Sequence, residues 1–309
     1  MKAMTYDRYG DDSVLHLTDL PTPKVGPGEV LVRVRRAAVN PVDWKVMAGG
    51  LDELMDAWFP VVPGCDAAGV VERVGPDTTE FAPGDGVMTY ARKDVLHAGT
   101  FAEYVTIPAR AVARKPASLD FDAAAALPLA GLTAWQVLTR LGVDRGTTVL
   151  VHGAAGGVGS LGVQIAAARG ARVIGTASAA HHDHVRGLGA DAAVEYGEGL
   201  AERVRRLAPD GVDVVADFVG GVLPVTTAVL RPGGRHGSIA DPSVEQAGGH
   251  WFWVRPDGAD LAALGSLADS GRLRVPVAAV LPLEELAEAF ARSRSGHTRG
   301  KIVLAVADR

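Results

Sequence analysis

Cysteine is almost absent: Cys65 is the one thiol in 309 residues. A disulfide framework is therefore impossible, and so is a cysteine-rich zinc site. Positive charge is not in excess either. Lys and Arg number 31 against 36 Asp and Glu, a formal charge of −5. A mildly acidic chain without a basic block binds phosphate backbones poorly, so nucleic acid is set aside as a partner. No run of eighteen apolar residues occurs, and no membrane span is expected. The opening MKAMTYDRYGDD is polar and lacks the apolar core of a signal peptide, which makes the cytoplasm the expected address. What is present is a globular composition, 48% hydrophobic and 22% charged, with length enough for more than one domain.

Two textures follow one another along the chain. Up to about residue 116 it reads as β-rich. VLVRVRRAAV (30–39) alternates apolar and basic residues, as a strand with one wet face does. AGVVERVG (68–75) and FAEYVTIP (101–108) are further strands, punctuated by turn clusters such as EFAPGDG. After Pro116 the stretch ASLDFDAAAALPLAGLTAWQVLTRLG is Ala-rich and helical in period, with a stop at Gly142. Strands and helices then alternate from TVLVHG (148–153) onward, which predicts a parallel sheet covered on both faces. A last helix, LEELAEAFARSR, leads into the strand KIVLAV.

The most informative stretch is VLVHGAAGGVGSLGVQIA. A buried strand runs into Gly153-Ala154-Ala155-Gly156-Gly157-Val158-Gly159 and directly on into a helix. Such a turn brings backbone close to a pyrophosphate, and the helix start offers it N–H donors and positive dipole. Gly153, Ala154, Gly156, Gly157, Val158 and Gly159 are the predicted phosphate cradle. The literal G-x-G-x-x-G at Gly157, Gly159 and Gly162 begins too far into the helix to be the operative register. At the end of the next strand, Thr176-Ala177-Ser178-Ala179-Ala180 contains no acid to hold a ribose 2′-hydroxyl. Ser178 can donate to a 2′-phosphate, His181, His182 and Arg186 add positive charge, and Tyr196 can cover the same group. The pattern predicts NADP(H), unless these histidines simply open a solvated helix.

Several segments together resemble the medium-chain dehydrogenase/reductase superfamily, in its zinc-free quinone oxidoreductase (zeta-crystallin-like) branch. They are AAVNPVDWKVMAGG (37–50), PGCDAAGVVERVG (63–75), GDGVMTY (84–90), GTFAEYVTIP (99–108), AALPLAGLTAWQVL (125–138), VLVHGAAGGVG (149–159), GADAAVEY (189–196), DVVADFVGG (213–221) and GHTRGKIVL (296–304). The resemblance implies an α/β protein: a GroES-like β-barrel catalytic domain over 1–117, completed by about 278–309, and a Rossmann doubly wound parallel-sheet domain over 118–277. It implies a cofactor in the cleft between them and a homodimer through the Rossmann domain. It sets Asn40, Pro41, Thr133, Val219, Phe252 and Val254 against that cofactor, and Trp251 and Trp253 near the dimer edge. Zinc-dependent relatives carry Cys and His where this chain has Asn40 and Cys65, and a further thiolate near Pro128 or Leu129. Their structural four-Cys lobe would fall between Gly84 and Gly99. Cys65 with Asp66 does not make a four-ligand site, so no metal is assigned.

Without a Lewis acid to hold an alkoxide, the matching chemistry is hydride delivery to an acceptor that delocalises charge, a quinone or an α,β-unsaturated carbonyl. Asn40, in the Asn-Pro-x-Asp loop, is expected to donate its amide to cofactor or substrate; an Asx turn before Pro41 is the structural alternative. Lys45 is expected to polarise the carbonyl or give a proton, unless it is merely solvated. Asp43 is read as a loop-fixing residue, Thr133 as a nicotinamide contact or a core hydroxyl, and His152 as a buried histidine. Cys65, in an apolar setting, reads as a structural thiol. Trp44, Met55, Trp58 and Phe59 are candidates for the wall of a pocket for a small apolar electron acceptor, or for ordinary core. The alternatives carried forward are an enoyl-thioester reductase of polyketide or fatty-acyl type, and a non-catalytic NADPH-binding sensor or structural protein.

Overall fold

The computed structural model describes residues 1–296 and 298–307; His297 of the GHTRGKIVL stretch lies outside them. The chain forms two compact units. The first comprises Met1–Leu129, Pro256–Asp269 and the described residues from Val275 on; the second comprises Ala130–Arg255 and Ser270–Arg274.

The first unit begins with β1 (Lys2–Thr5), β2 (His16–Asp19) and the long β3 (Glu29–Val39), followed at once by helix α1 (Pro41–Met47). Pro41 suits a first helical turn, where its missing N–H costs nothing. Next come β4 (Ala57–Val62), β5 (Asp66–Val74), β6 (Gly86–Tyr90), β7 (Leu96–Ala98), β8 (Tyr104–Pro108), β9 (Val112–Arg114) and the short helix α2 (Phe121–Ala126). The period-two reading of β3 is only partly right. Val30, Leu31, Val32, Val34, Ala37, Ala38 and Val39 are all buried, and Arg33, Arg35 and Arg36 are half-covered. β3 is central, paired with β5 and β8, and α2 packs across it, with Arg36 Nε 2.5 Å from Asp122 Oδ1. The expected wet face is therefore largely roofed over.

The Ala-rich stretch is two helices, because Pro128 opens α3 (Pro128–Arg140) and ends α2 before it. The second unit then runs β10 (Thr148–His152), α4 (Gly157–Ala168), β11 (Arg172–Thr176), α5 (His182–Gly187), β12 (Ala192–Val194), α6 (Leu200–Leu207), β13 (Val212–Asp217), α7 (Leu223–Val229), β14 (Leu230–Ser238) and β15 (His250–Trp251). Its six strands are parallel, in the order β12-β11-β10-β13-β14-β15. The order reverses at β10, and in such sheets ligands bind beyond the strand ends at that point. Leu150, Ile174, Val204, Val212 and Val215 fill one face of the core.

The chain returns to the first unit with α8 (Gly258–Asp269), β16 (Val277–Pro282), α9 (Leu286–Arg294) and β17 (Lys301–Ala305). β17 pairs antiparallel with β3, Ile302 opposite Val39, and completes a seven-stranded sheet β16-β17-β3-β5-β6-β9 with β8 beside β3. The unit boundaries differ from those that the resemblance implies. Residues 118–129 and 256–269 belong to the first unit, not to the parallel-sheet unit. The reason is packing: α2 lies on β3 and β5, Ala126 shares a cluster with Ala38 and Val303, and α8 lies on β9 with Asp269 Oδ1 accepting from Ser118 N at 2.9 Å. Helical period alone does not say which sheet a helix covers.

Candidate active site

The glycine turn sits at the C-terminal end of β10, at the reversal of strand order. Gly153 has φ +70° and donates to Thr176 Oγ1 at 3.2 Å, and Gly156 N donates back to Gly153 O at 2.9 Å. A Cβ on Gly159 would lie 2.1 Å from Gly153 O, so only glycine lets α4 close onto the turn. Gly156 caps α4 and no side chain occupies the helix end. The first-turn amides thus face outward beside the positive end of the dipole, and this donor set fits a pyrophosphate. Gly157, Gly159 and Gly162 all lie within α4; Gly162 packs against Phe218.

Ser178 and Tyr196 stand just beyond the ends of the neighbouring strands β11 and β12, which are held in register as Thr176 opposite Val194. Ser178 Oγ and His181 Nδ1 are 3.1 Å apart, His182 Nε2 lies 3.2 Å from Ala177 O, and Tyr196 is exposed. Arg186 is paired with Asp183 at 2.9 Å. Val219 is exposed directly over the turn, where a Cβ on Gly153 would meet its Cγ1 at 2.7 Å. Asp217 fixes that loop. Its Oδ1 accepts from Val219 N and Gly220 N at 2.8 and 2.9 Å, and its Oδ2 accepts from Ser238 Oγ at 2.6 Å. His152 is buried beside Thr176 Oγ1, and burial lowers it to about 4, with Asp217 pulling the other way; it is a neutral core histidine at pH 7.

Thr133, Phe252 and Val254 come together, with Gln136, Ile239 and Trp253, around one small cleft of about 10 Å³. That is room for about one water molecule and not for a ring. Thr133 is buried on α3. Phe252 is buried too, under the Arg140 guanidinium at 5.7 Å, which sets it in the core rather than on an open face. Trp251 is exposed on the edge strand and stacks edge-on against Trp253.

In the first unit, Asn40 is buried and its amide is fully engaged. Nδ2 donates to Asp66 Oδ2 at 2.9 Å and to Ala38 O at 3.3 Å, and Oδ1 accepts from the Lys301 ammonium. Asp43 Oδ2 accepts from Asn40 N at 2.7 Å, a capping-box bond made by the Asp43 side chain and distinct from the Asx turn expected of Asn40. Lys301 also donates to Val39 O at 3.0 Å and stands 3.8 Å from Asp66 Oδ2. Asp66 Oδ1 accepts from Leu129 N at 2.8 Å. Burial pushes Asp66 up to about 6, with Lys301 and Asn40 holding it down, and pushes Asp43 up to about 7. Burial lowers Lys301, and the facing carboxylates partly restore it. Burial also raises the Cys65 thiol, and Asp43 and Asp66 add to that, so a thiolate nucleophile is disfavoured. Sequence reading missed Lys301 and the role of Asp66. The available signal was a charge inside an apolar run, in KIVLAV and in VVPGCDAAGVV.

The other first-unit candidates are scattered. Lys45 is exposed on α1 with its ammonium 5.5 Å over the Trp44 ring, and Trp44 Nε1 donates to Ser293 Oγ at 3.3 Å. Trp58 and Phe59 are both exposed but neighbour each other on β4, where successive side chains take opposite faces. Trp58 lies by His97, whereas Phe59 stands edge-on to Tyr6 and Tyr9 at 6.0 and 5.3 Å. Met55 is half-buried in the turn before β4. Of the four, Phe59 is the one whose ring contacts a neighbour of the Asp43–Cys65 group.

A glycine turn opening a helix at the switch point of a parallel sheet, on a chain that also carries a GroES-like unit, defines a nicotinamide-dependent oxidoreductase. Residues 26–117 match the model of the alcohol dehydrogenase GroES-like domain, and residues 188–304 match a model described as zinc-binding dehydrogenase. The chain is 35% identical, over 98% of its length and 79% of the relative's, to the chloroplastic NADPH-dependent alkenal/one oxidoreductase of Arabidopsis thaliana. It is 31% identical, over 98% of both chains, to a chloroplastic quinone oxidoreductase of Triphysaria versicolor. The solved quinone oxidoreductase of Coxiella burnetii superposes with a TM-score of 0.86 at 32% identity, over 99% of both chains. The chain belongs to the medium-chain dehydrogenase/reductase superfamily, in its quinone oxidoreductase branch.

Proposed function

We propose that this oxidoreductase uses NADPH to reduce a quinone or an α,β-unsaturated carbonyl, with no metal in the redox step. The observation that carries the reading is the uncapped start of α4 with Ser178, and no acid, beyond the adjacent strand. Bound reduced nicotinamide supplies the hydride. The chain's own residues bind and orient. The α4 amides hold the diphosphate, Ser178, His181 and Tyr196 receive the 2′-phosphate, and the Asp217-tied loop sets Val219 over the turn. The activities named for the two relatives, on alkenals or enones and on quinones, support the acceptor class.

A metal-free step is supported by the chemistry of the first unit, although one matching model carries zinc in its description. Asn40 offers its oxygen to an ammonium, and a divalent cation placed beside Lys301 would be repelled. Among the described residues, no group of three His, Cys, Asp or Glu is placed to hold a metal, and no helix is long and apolar enough to cross a membrane. We further read the protein as a homodimer joined through the parallel-sheet unit, on the strength of the exposed edge strand β15 and its Trp251. The test is direct. Purified protein is expected to enhance NADPH fluorescence far more than NADH, and to oxidise NADPH when given cyclohexenone or menadione. Equal affinity for the two nucleotides would remove the Ser178 argument, and no oxidation with any acceptor would remove the reductase reading.

A further inference from the structure

NADP(H) carries two separate anionic groups, a diphosphate and a 2′-phosphate. The reading above, on which this inference rests, gives them to two different segments of the second unit: the glycine turn at the start of α4, and the segment beyond β11 that begins at Ser178. Neither segment is stiff by itself. The turn carries four glycines in its seven residues, and Ser178 lies two residues past the end of β11.

One residue joins them. Thr176 is the last residue of β11 and is buried. Its hydroxyl oxygen accepts from Gly153 N at 3.2 Å and its carbonyl accepts from Ala154 N at 3.0 Å, so two consecutive amides of the turn end on it. The same hydroxyl lies 3.4 Å from Nδ1 of His152, the residue before the turn. Since its oxygen already serves Gly153, its proton is the one available to that ring nitrogen of a neutral histidine. Partners on two sides and branching at Cβ hold the hydroxyl in one rotamer. Packing repeats the connection. A Cβ on neighbouring Gly175 would lie 2.8 Å from Ala154 Cβ and 2.7 Å from Val185 Cγ1, so the turn and α5 both rest on the end of β11. Ala177 N in turn donates to Val194 O at 3.0 Å, two residues before Tyr196.

We propose that Thr176 is a positioning residue for the cofactor, setting the spacing between the diphosphate turn and the 2′-phosphate segment. A ligand held at two points gains most when the distance between the two sites is fixed beforehand, because the second contact then carries little ordering cost. NADH lacks the 2′-phosphate and uses one of the two sites. Loosening the spacing therefore weakens NADPH more than NADH, whereas a residue that only stabilised the unit would weaken both alike.

Thr176→Val keeps the branching and removes the hydroxyl. The backbone bond from Ala154 survives, so the spacing is loosened and not lost. Thr176→Ala makes the same deletion in a smaller side chain, and Thr176→Ser restores the hydroxyl. Calorimetry with NADPH and with NADH, no acceptor present, gives the two affinities. The ratio of the NADH Kd to the NADPH Kd is expected to fall roughly 3–10-fold in Thr176→Val and Thr176→Ala, the worth of about one hydrogen bond, and to return toward the parent value in Thr176→Ser. In the nucleotide-free protein, hydrogen exchange at the Gly153 amide is expected to quicken roughly tenfold in Thr176→Val and to stay slow in Thr176→Ser. A ratio within about twofold of the parent value in the variants without the hydroxyl, or an unchanged exchange rate at Gly153, would overturn the proposal. A parent protein with no preference for NADPH would overturn the NADP(H) reading and this inference with it, whereas a preference that survives loss of the hydroxyl overturns the inference alone.

Discussion

Lys301→Met tests the polar centre of the first unit. The Lys301 ammonium stands 3.8 Å from Asp66 Oδ2, and both side chains are closed to solvent. At an effective dielectric constant of about 20, a charge pair at that distance is worth about 4 kcal/mol. Removing one partner of a buried pair costs about 3–5 kcal/mol, because the remaining charge stays buried and uncompensated. At roughly 2–4 °C per kcal/mol, Lys301→Met is expected to lower Tm by roughly 6–20 °C near pH 8. The double variant Lys301→Met with Asp66→Asn removes both charges of the pair, keeps an oxygen for one of the two donors Asn40 Nδ2 and Leu129 N, and is expected to recover part of the loss. The pH dependence has a definite sign. Asp66 already sits above its unfolded value, at about 6 against 3.8, and losing Lys301 raises it further. A raised acid holds its proton in the folded state where the unfolded chain has lost it, so stability falls as pH rises from about 4 through the folded value. The deficit of the single variant is therefore small at pH 5 and full at pH 8. Thermal melts at both pH values decide the matter. A loss under about 1 kcal/mol at pH 8, or a double variant no more stable than the single, would refute this reasoning.

Gly159→Ala forces a Cβ to within 2.1 Å of Gly153 O; overpacking of that kind costs about 1–3 kcal/mol, and NADPH affinity, measured by fluorescence titration, is expected to drop at least tenfold. Ser178→Asp sets a carboxylate where the 2′-phosphate is read to lie, and is expected to shift the ratio of NADPH to NADH affinity by roughly 10–100-fold toward NADH, about 1.4–2.8 kcal/mol. Leu150→Ala, in the middle of β10 and 0% exposed between β11 and β13, is expected to cost about 2–5 kcal/mol by denaturant titration while leaving the fold in place.

The parallel-sheet unit was readable because its signals are local. Each strand is a short apolar run, and the glycine turn declares itself within seven residues, Gly153 to Gly159. The first unit was harder. Its helix α2 shares an alanine-rich stretch with α3, and nothing in the stretch says that one end packs on β3. Asn40 was found but its partners were not, since Lys301 is 261 positions away and joins it only through the pairing of β17 with β3. Period-two alternation in β3 predicted solvent for its arginines, but a helix roofs a strand without leaving any mark on that strand's own pattern. The aromatic candidates failed in a similar way. Trp58 and Phe59 are adjacent in sequence, and on a strand that adjacency separates them.

The pairing of β17 with β3 has a consequence for biosynthesis. A ribosome adding about 5–20 residues per second needs roughly 10–50 s to travel from Asn40 to Lys301. Throughout that interval the nascent first strands carry an acid meant for the interior and no cation to meet it. Early burial of Asp66 is then penalised, and these strands stay open until translation is nearly done. Messages cut short before codon 301 should accordingly yield polypeptides whose amino-terminal half never closes, which are ready substrates for quality-control proteases.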